Sequence, residues 1–511
     1  MGRRGWTAAL AASLSLAVVG CGGDDDGGTE PGGPDPASVV PPQALVYAEA
    51  TVRPEGDQRD ELETQLSAVL GVDDVGAEIR EQVDSLLADT NLTYEQDVQP
   101  WLGDRAGLYL LNLTDESDGA FVVPTTDEAA AQAALDKVAE SEGVSEEQTT
   151  DGVPYVVTED DSALGIVGDF AVLGSERGFD EVLATSRGES LAESDAFAEA
   201  TGDLGDNGLV TAYADPAGVL SALVGARVIS GAQSDEIADS LAGVFEGPGV
   251  LTAGADDAGF FAELASEGGD LVGGGTNLIE RVPDDAWLAF GLANAGSVVG
   301  PALVGALSSN DVLGGVLERI QTQEGVDLGS FAASVGDVAG WFGGPNVLAA
   351  RGALLFESGD EAVATELLDG LGSAFSADPA VKVTPGEVEG EAFSAGPADV
   401  PVEFPFVLRD GLLVAGLGEQ SIEQAYQPET SLADSDAYEA AEEALGDGFD
   451  VGLLIDFQTL VGFFEGLNTE DEPDLNSALP YMARLDVFAA GARDDDGSTT
   501  LRFILRPQSG D

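Results

Sequence analysis

The strongest constraint on this chain is that it repeats itself. Val40-Pro41-Pro42-Gln43-Ala44 returns as Val282-Pro283-Asp284-Asp285-Ala286, and Gly103-Asp104-Arg105-Ala106-Gly107 returns as Gly336-Asp337-Val338-Ala339-Gly340. The fullest match sets Ser190-Leu191-Ala192-Glu193-Ser194-Asp195-Ala196-Phe197 against Ser431-Leu432-Ala433-Asp434-Ser435-Asp436-Ala437-Tyr438, and it runs without a gap to Asp215 and Asp456. Gly254-Ala255-Asp256-Asp257 then answers Gly491-Ala492-Arg493-Asp494. Matched positions keep one order and offsets of 233 to 242 residues. The architecture is therefore two copies of one unit. The expected layout is a signal segment over 1–20, a tether over 21–40, a first unit over 41–267, a linker over 268–281 and a second unit over 282–508.

Inside a copy, strand and helix patterns alternate. Ala44 to Ala48, Gly107 to Leu113 and Leu209 to Ala214 read as strands,. Asp60 to Leu70 and Gly76 to Leu87 carry apolar residues at helical spacing,. Thr126 or Asp127 caps a helix over Asp127 to Val138,. Hairpins are expected at Gly168-Asp169, at Asp256-Asp257-Ala258 and at Asp410-Gly411,. Hairpin-joined strands with interspersed helices define an α+β class: two tandem units of largely antiparallel sheet, with helices covering one face of each.

The N-terminus addresses location. Arg3 and Arg4 precede an apolar stretch from Trp6 to Val19, too short to span a bilayer, and Gly20 is a small residue at a cleavage position,. Cys21, the only cysteine, follows at once. After it, Gly22-Gly23-Asp24-Asp25-Asp26-Gly27-Gly28 cannot form a core and reads as a solvated tether,. Val18-Val19-Gly20-Cys21 resembles the lipobox of bacterial lipoproteins, in which the cysteine is acylated. That resemblance implies an extracytoplasmic protein, anchored to the cell membrane through lipid on Cys21.

Composition removes many chemistries. The 511 residues contain no histidine, so Ser-His-Asp and Cys-His catalysis are excluded, as are zinc sites built on histidine or cysteine,. No glycine loop ends in Lys-Ser or Lys-Thr, and no cofactor is expected,. Loss of Arg3 and Arg4 with the signal leaves 17 basic against 95 acidic residues, a net charge of −78. Such a chain repels nucleic acid and anionic lipid alike, so contact with the membrane is expected through the lipid alone. A protein, a wall polymer or a small molecule remains as the class of partner.

The opening Pro41-Pro42-Gln43-Ala44-Leu45-Val46-Tyr47-Ala48-Glu49, with Trp101-Leu102-Gly103 further on, resembles an uncharacterised group of actinobacterial lipoproteins, domain of unknown function 3352. The likeness covers nearly the whole chain after the signal and implies an extracytoplasmic location. No enzymatic signature comes with it, so no functional residue is carried over.

The candidate polar positions are the aspartates that recur between copies: Asp104 with Asp337, Asp195 with Asp436, and Asp215 with Asp456. Capping explains them before any ligand does. Asp215 precedes Pro216 and Asp195 stands at a helix start,. Acidic runs at Asp24 to Asp26, Glu470 to Asp474 and Asp494 to Asp496 suit calcium by ligand type, but none has EF-hand spacing, and no metal is expected,. A carboxylate pair could hydrolyse a glycosidic bond without histidine. Trp101, Trp287 and Trp341 offer few stacking surfaces for a sugar, and two of them lie in strand-like runs. A non-catalytic binding or scaffold role is the expectation that remains, with a transporter's solute receptor and a carboxylate glycosidase as alternatives.

Overall fold

The computed structural model describes residues 33–113, 118–202, 208–214, 219, 247–267, 275–298, 319–386, 391–397, 403–464, 473–495 and 498–508. They divide into two compact units, one ending at Glu267 and the other beginning at residue 275.

The first unit contributes ten strands: β1 (Val46–Thr51), β2 (Arg105–Leu110), β3 (Gly119–Pro124), β4 (Val144–Thr150), β5 (Val153–Thr158), β6 (Ser162–Val167), β7 (Phe170–Ser175), β8 (Gly208–Ala214), β9 (Gly249–Asp256) and β10 (Gly259–Glu267). They pair in the order β4-β5-β6-β7-β3-β2-β1-β8-β9-β10, antiparallel throughout. The second unit contributes β11 (Ala286–Leu292), β12 (Val335–Gly343), β13 (Arg351–Ser358), β14 (Val381–Pro385), β15 (Glu391–Pro397), β16 (Phe404–Arg409), β17 (Leu412–Gly416), β18 (Asp450–Asp456), β19 (Leu485–Asp495) and β20 (Ser498–Pro507). Their order, β14-β15-β16-β17-β13-β12-β11-β18-β19-β20, repeats the first strand for strand. The class is α+β, and antiparallel pairing throughout is unlike the parallel βα lobes expected of a solute receptor.

Local chemistry accounts for the elements. Asp127 accepts hydrogen bonds from the N–H groups of Ala129 and Ala130, starting the helix Glu128–Glu142. Asp360 does the same for Glu361–Ser376 through Ala362 and Val363. Both residues of the Asp410-Gly411 turn have positive φ, the conformation a two-residue hairpin with the native strand twist requires,.

Helices lie on both faces of the first sheet rather than on one. Tyr109, Val122 and Val172 pack with Phe179, Val182 and Leu183 of the helix Glu176–Thr185. The alternate residues Ala106, Val123 and Ala171 pack with Val75, Ile79 and Val83 of Val75–Leu87, and with Ala131, Ala134 and Leu135 of Glu128–Glu142. Strand residues therefore bury side chains in both directions, and the strands read as apolar runs such as Gly119-Ala120-Phe121-Val122-Val123,.

The expected tether and linker are both too long. Residues 36–40 belong to the core, not to a tether ending at residue 40: Pro36–Val39 form a 3₁₀ turn, capped by Asp35, that buries Ala37, Val39 and Val40. The linker over 268–281 likewise ends early, because Asn277–Arg281 form the matching turn, capped by Thr276, with Leu278 and Ile279 buried. Proline and polar residues in Pro34-Asp35-Pro36-Ala37-Ser38 disguise the first as linker.

Each turn leads into a clamp. The N–H of Leu191 donates to the carbonyl of Val40 at 2.7 Å, and that of Leu432 donates to Val282 at the same distance. Both leucine side chains are fully buried. The most faithfully repeated sequence in the chain is thus the one that ties the beginning of each copy to the segment before its eighth strand. Leu191→Ala and Leu432→Ala are each expected to cost about 2–5 kcal/mol. Urea denaturation followed by tryptophan fluorescence and far-UV circular dichroism checks this; a loss under 1 kcal/mol (roughly the scale of a surface substitution) would show the clamp to be dispensable.

Candidate functional site

A polar cluster on β1 and β2 lies beneath the first 3₁₀ turn. Tyr47 and Glu49 project from the same face of β1, and Arg105 projects from β2 beside them. The Tyr47 hydroxyl donates to Glu49 Oε2 at 2.6 Å, and Arg105 Nη1 donates to Oε1 at 3.0 Å. Tyr47 is 1 % exposed and packs edge-on to Phe197, which packs edge-on to Tyr213. Burial pushes the Glu49 carboxyl above its ordinary value, against the pull of Arg105, and Asp35 of the turn adds to the rise. Burial and the Glu49 charge push the Tyr47 phenol well up. Tyr109, also raised by burial, donates from its hydroxyl to the carbonyl of Gly178 at 2.5 Å. Glu49 thus joins Tyr47 and Arg105 within the sheet, and Tyr109 ties a helix to it. The Tyr47 ring is closed to solvent, while the Glu49 and Arg105 side chains stay 18 % and 28 % exposed.

The second unit fills the same place with other residues. Asp337 Oδ2 accepts from the Thr276 hydroxyl at 2.5 Å, and Oδ1 accepts from the N–H of Asn294 at 3.0 Å. Asp337 therefore sits under its turn where Arg105 sits under the first. Asp104, its expected counterpart, lies one residue earlier, and its backbone carbonyl accepts from Val52 at 2.8 Å. The glycines of the two motifs show the slip. A Cβ on Gly107 would meet Pro36 of the turn at 2.7 Å, whereas one on Gly340 would meet Phe290 and Leu354, away from it. Gly291 takes over the close approach: a Cβ there would lie 2.6 Å from Thr276 Cγ2. A one-residue shift exchanges the faces of a strand, so the matched motifs are not matched in space. β-Bulges at Ala286/Leu288 and Val335/Val338 break the register here,.

The other recurring aspartates divide. Asp456 is a cap: Oδ1 accepts from the N–H groups of Gln458 and Thr459, and Oδ2 from the Thr459 hydroxyl. Its counterpart Asp215, like Pro216 and Cys21, lies outside the described residues. Asp195 and Asp436 are not caps. Each is the first helical residue after a serine, and Ser435 Oγ accepts from the N–H of Tyr438. An aspartate in that first turn interacts favourably with the helix dipole instead. The acidic runs weighed against calcium and set aside fall on residues whose side chains are not described. Among the described residues no group of three or more carboxylates is arranged to hold a metal ion.

Sequence reasoning also missed a charge exchange. Arg351 pairs with Asp285 at the start of β13, and burial raises the Asp285 carboxyl while Arg351 lowers it. In the first unit Asp118, beside the start of β3, pairs with Arg177 at 3.0 Å. No motif announces either pair.

A family model described as a protein of unknown function (DUF3352) matches residues 8–461, and the chain belongs to that family. Among solved structures, crystal form IV of TP0453 shares 15 % identity at a TM-score of 0.26, over 46 % of this chain and 80 % of that one. Crystal form I of TP0453 shares 12 % identity at a TM-score of 0.26, over 47 % and 82 %. No curated protein matches the chain.

Two expectations follow from the geometry. Gly107→Ala and Gly291→Ala should each destabilise by about 1–3 kcal/mol through overpacking against the turn, measured by urea denaturation. The pH dependence is set by carboxyls whose folded values are raised: Glu49, Glu61, Glu142, Asp180, Asp285 and Asp486. The folded state holds these protons more tightly than the unfolded state, so their contribution is present in mild acid and lost as pH rises through the folded values. Repulsion within a net charge of −76 acts in the same direction,. Asp97, lowered by its hydrogen bond to Lys137, loses its contribution only below the ordinary carboxylate range. The urea midpoint should therefore be higher at pH 5 than at pH 7.5, and Glu49→Gln should reduce the difference.

Proposed function

We propose that the chain is an extracytoplasmic lipoprotein, held at the cell membrane by acylated Cys21, whose two units have a non-catalytic binding or scaffold role. The observation that carries this is Val18-Val19-Gly20-Cys21, placed after Arg3, Arg4 and a short apolar stretch and before a glycine-aspartate run. The docked turn at Pro36–Val39 supports it, because a chain anchored at its N-terminus needs a firm root there. The composition of Gly22 to Gly28 is that of a solvated tether,. The non-catalytic part of the reading is supported by the lack of histidine and by Glu49, whose two carboxylate oxygens are both engaged, by Tyr47 and by Arg105.

Expression of the full chain and of Cys21→Ser in an actinobacterial host, followed by membrane fractionation and mass spectrometry of the N-terminal peptide, tests the anchor. The parent chain is expected in the membrane fraction with an acylated cysteine at its N-terminus, and Cys21→Ser in the soluble fraction without it. Equal partitioning of the two, or an unmodified cysteine, would overturn the lipoprotein reading.

A further inference from the structure

The two copies end their sheets differently on the β4 and β14 side. Among the described strands, β14 pairs only with β15, and it carries the usual defences of an edge: five residues, a lysine and a proline,. Lys382 lies 3.2 Å from Glu403, and Pro385 has no N–H to offer. Its counterpart β4 pairs, among the described strands, only with β5; it runs for seven residues, contains neither lysine nor proline, and shifts register between Val144 and Glu146, which leaves Glu147 to Thr150 in regular pairing. Val144, Ser145, Glu146 and Glu147 are all exposed, Val144 at 46 %.

The β4–β5 hairpin fixes which backbone groups point outward. Asp151 and Gly152 both have positive φ, at 56° and 88°, so the loop is a two-residue type I′ turn and Thr150 with Val153 is a hydrogen-bonded pair,. Alternation along an antiparallel ladder then turns the N–H and C=O of Thr149 and Glu147 away from β5. Pro154, opposite Thr149, fits a non-bonded position. Gln148 bonds to Glu146, to Glu176 and to the Tyr155 hydroxyl, which places Glu146 on one face of the strand and Glu147 on the other.

We propose that β4 is a docking edge for an extended protein segment carrying two consecutive basic residues, which adds as a further antiparallel strand. Its main chain pairs with Glu147 and Thr149, and its basic side chains meet Glu146 and Glu147 on opposite faces. The two glutamates repel a second copy of the same edge and admit a cationic strand, so the charge that deters self-association selects the partner. This deepens the binding role proposed above and does not depend on the anchor.

The probe is the blocked peptide Thr-Val-Lys-Lys-Val-Thr, with a control N-methylated at alternate amides, titrated against the full chain by fluorescence anisotropy with hydrogen exchange as readout. Slowed exchange over 145–149 is expected, together with binding at least about ten-fold weaker for the methylated control, since main-chain bonds supply the affinity. Glu147→Pro removes an outward N–H and should weaken binding similarly. The double variant Glu146→Lys with Glu147→Lys should prefer Thr-Val-Glu-Glu-Val-Thr, which tests the edge even if the proline variant does not fold. Equal affinity for the methylated peptide, exchange unchanged over 145–149, or no binding would overturn the proposal. Failure of the Cys21 experiment would leave these outcomes unaffected.

Discussion

The entering chain of each unit is tied down by one backbone hydrogen bond, made twice. The carbonyls of Val40 and Val282 accept from Leu191 and Leu432 at 2.7 Å, beneath leucine side chains that solvent does not reach. This bond closes a loop of about 150 residues and joins the entering chain to a segment that lies beyond the first seven strands of its unit,. A buried amide without its partner would cost about 1–3 kcal/mol, so neither side of the clamp can drift alone.

That dependence explains which parts of the fold were legible in the sequence. Ser190-Leu191-Ala192 and Ser431-Leu432-Ala433 kept their letters because serine and leucine serve one local turn and one buried contact, with Glu193 adding a bond back to Ser190 in the first copy. Helix caps such as Asp127 were readable for the same reason, since their partners lie two or three residues away,. Strand alternation was harder to read. With helices on both faces, Val122 and Val123 are both buried, so period-2 patterning vanishes and a strand resembles any short apolar run,.

The candidate site was legible only in part, and its failures share one cause. Gly103-Asp104-Arg105-Ala106-Gly107 and Gly336-Asp337-Val338-Ala339-Gly340 align by letters but face opposite ways, because bulges beside β12 absorb a residue that sequence comparison has no means to count. The contacts that make the cluster, from Tyr47 to Glu49 and from Arg105 across to β1, join residues up to 56 apart. Nothing in a linear motif encodes them. Aspartate also follows serine at two helix starts, where hydroxyl and carboxylate are both capable caps, and composition alone does not say which one takes the N–H,.

The differences between the copies are more informative than their likeness. Under the turn, the first copy uses a tyrosine, a glutamate and an arginine over a glycine in β2; the second uses threonine and aspartate over a glycine in β11. Each therefore keeps one glycine where the turn approaches most closely, but on different strands, and the side chains around it have been replaced as a set. Such joint replacement is what coupling within a packed site demands, since any single exchange would leave a buried charge unpaired or a methylene without space. The β4 and β14 edges obey no such coupling, because their outer sides touch solvent. A difference there is not forced by packing: one copy ends on a seven-residue strand with a register shift and two glutamates, the other on a five-residue strand with a lysine and a proline,.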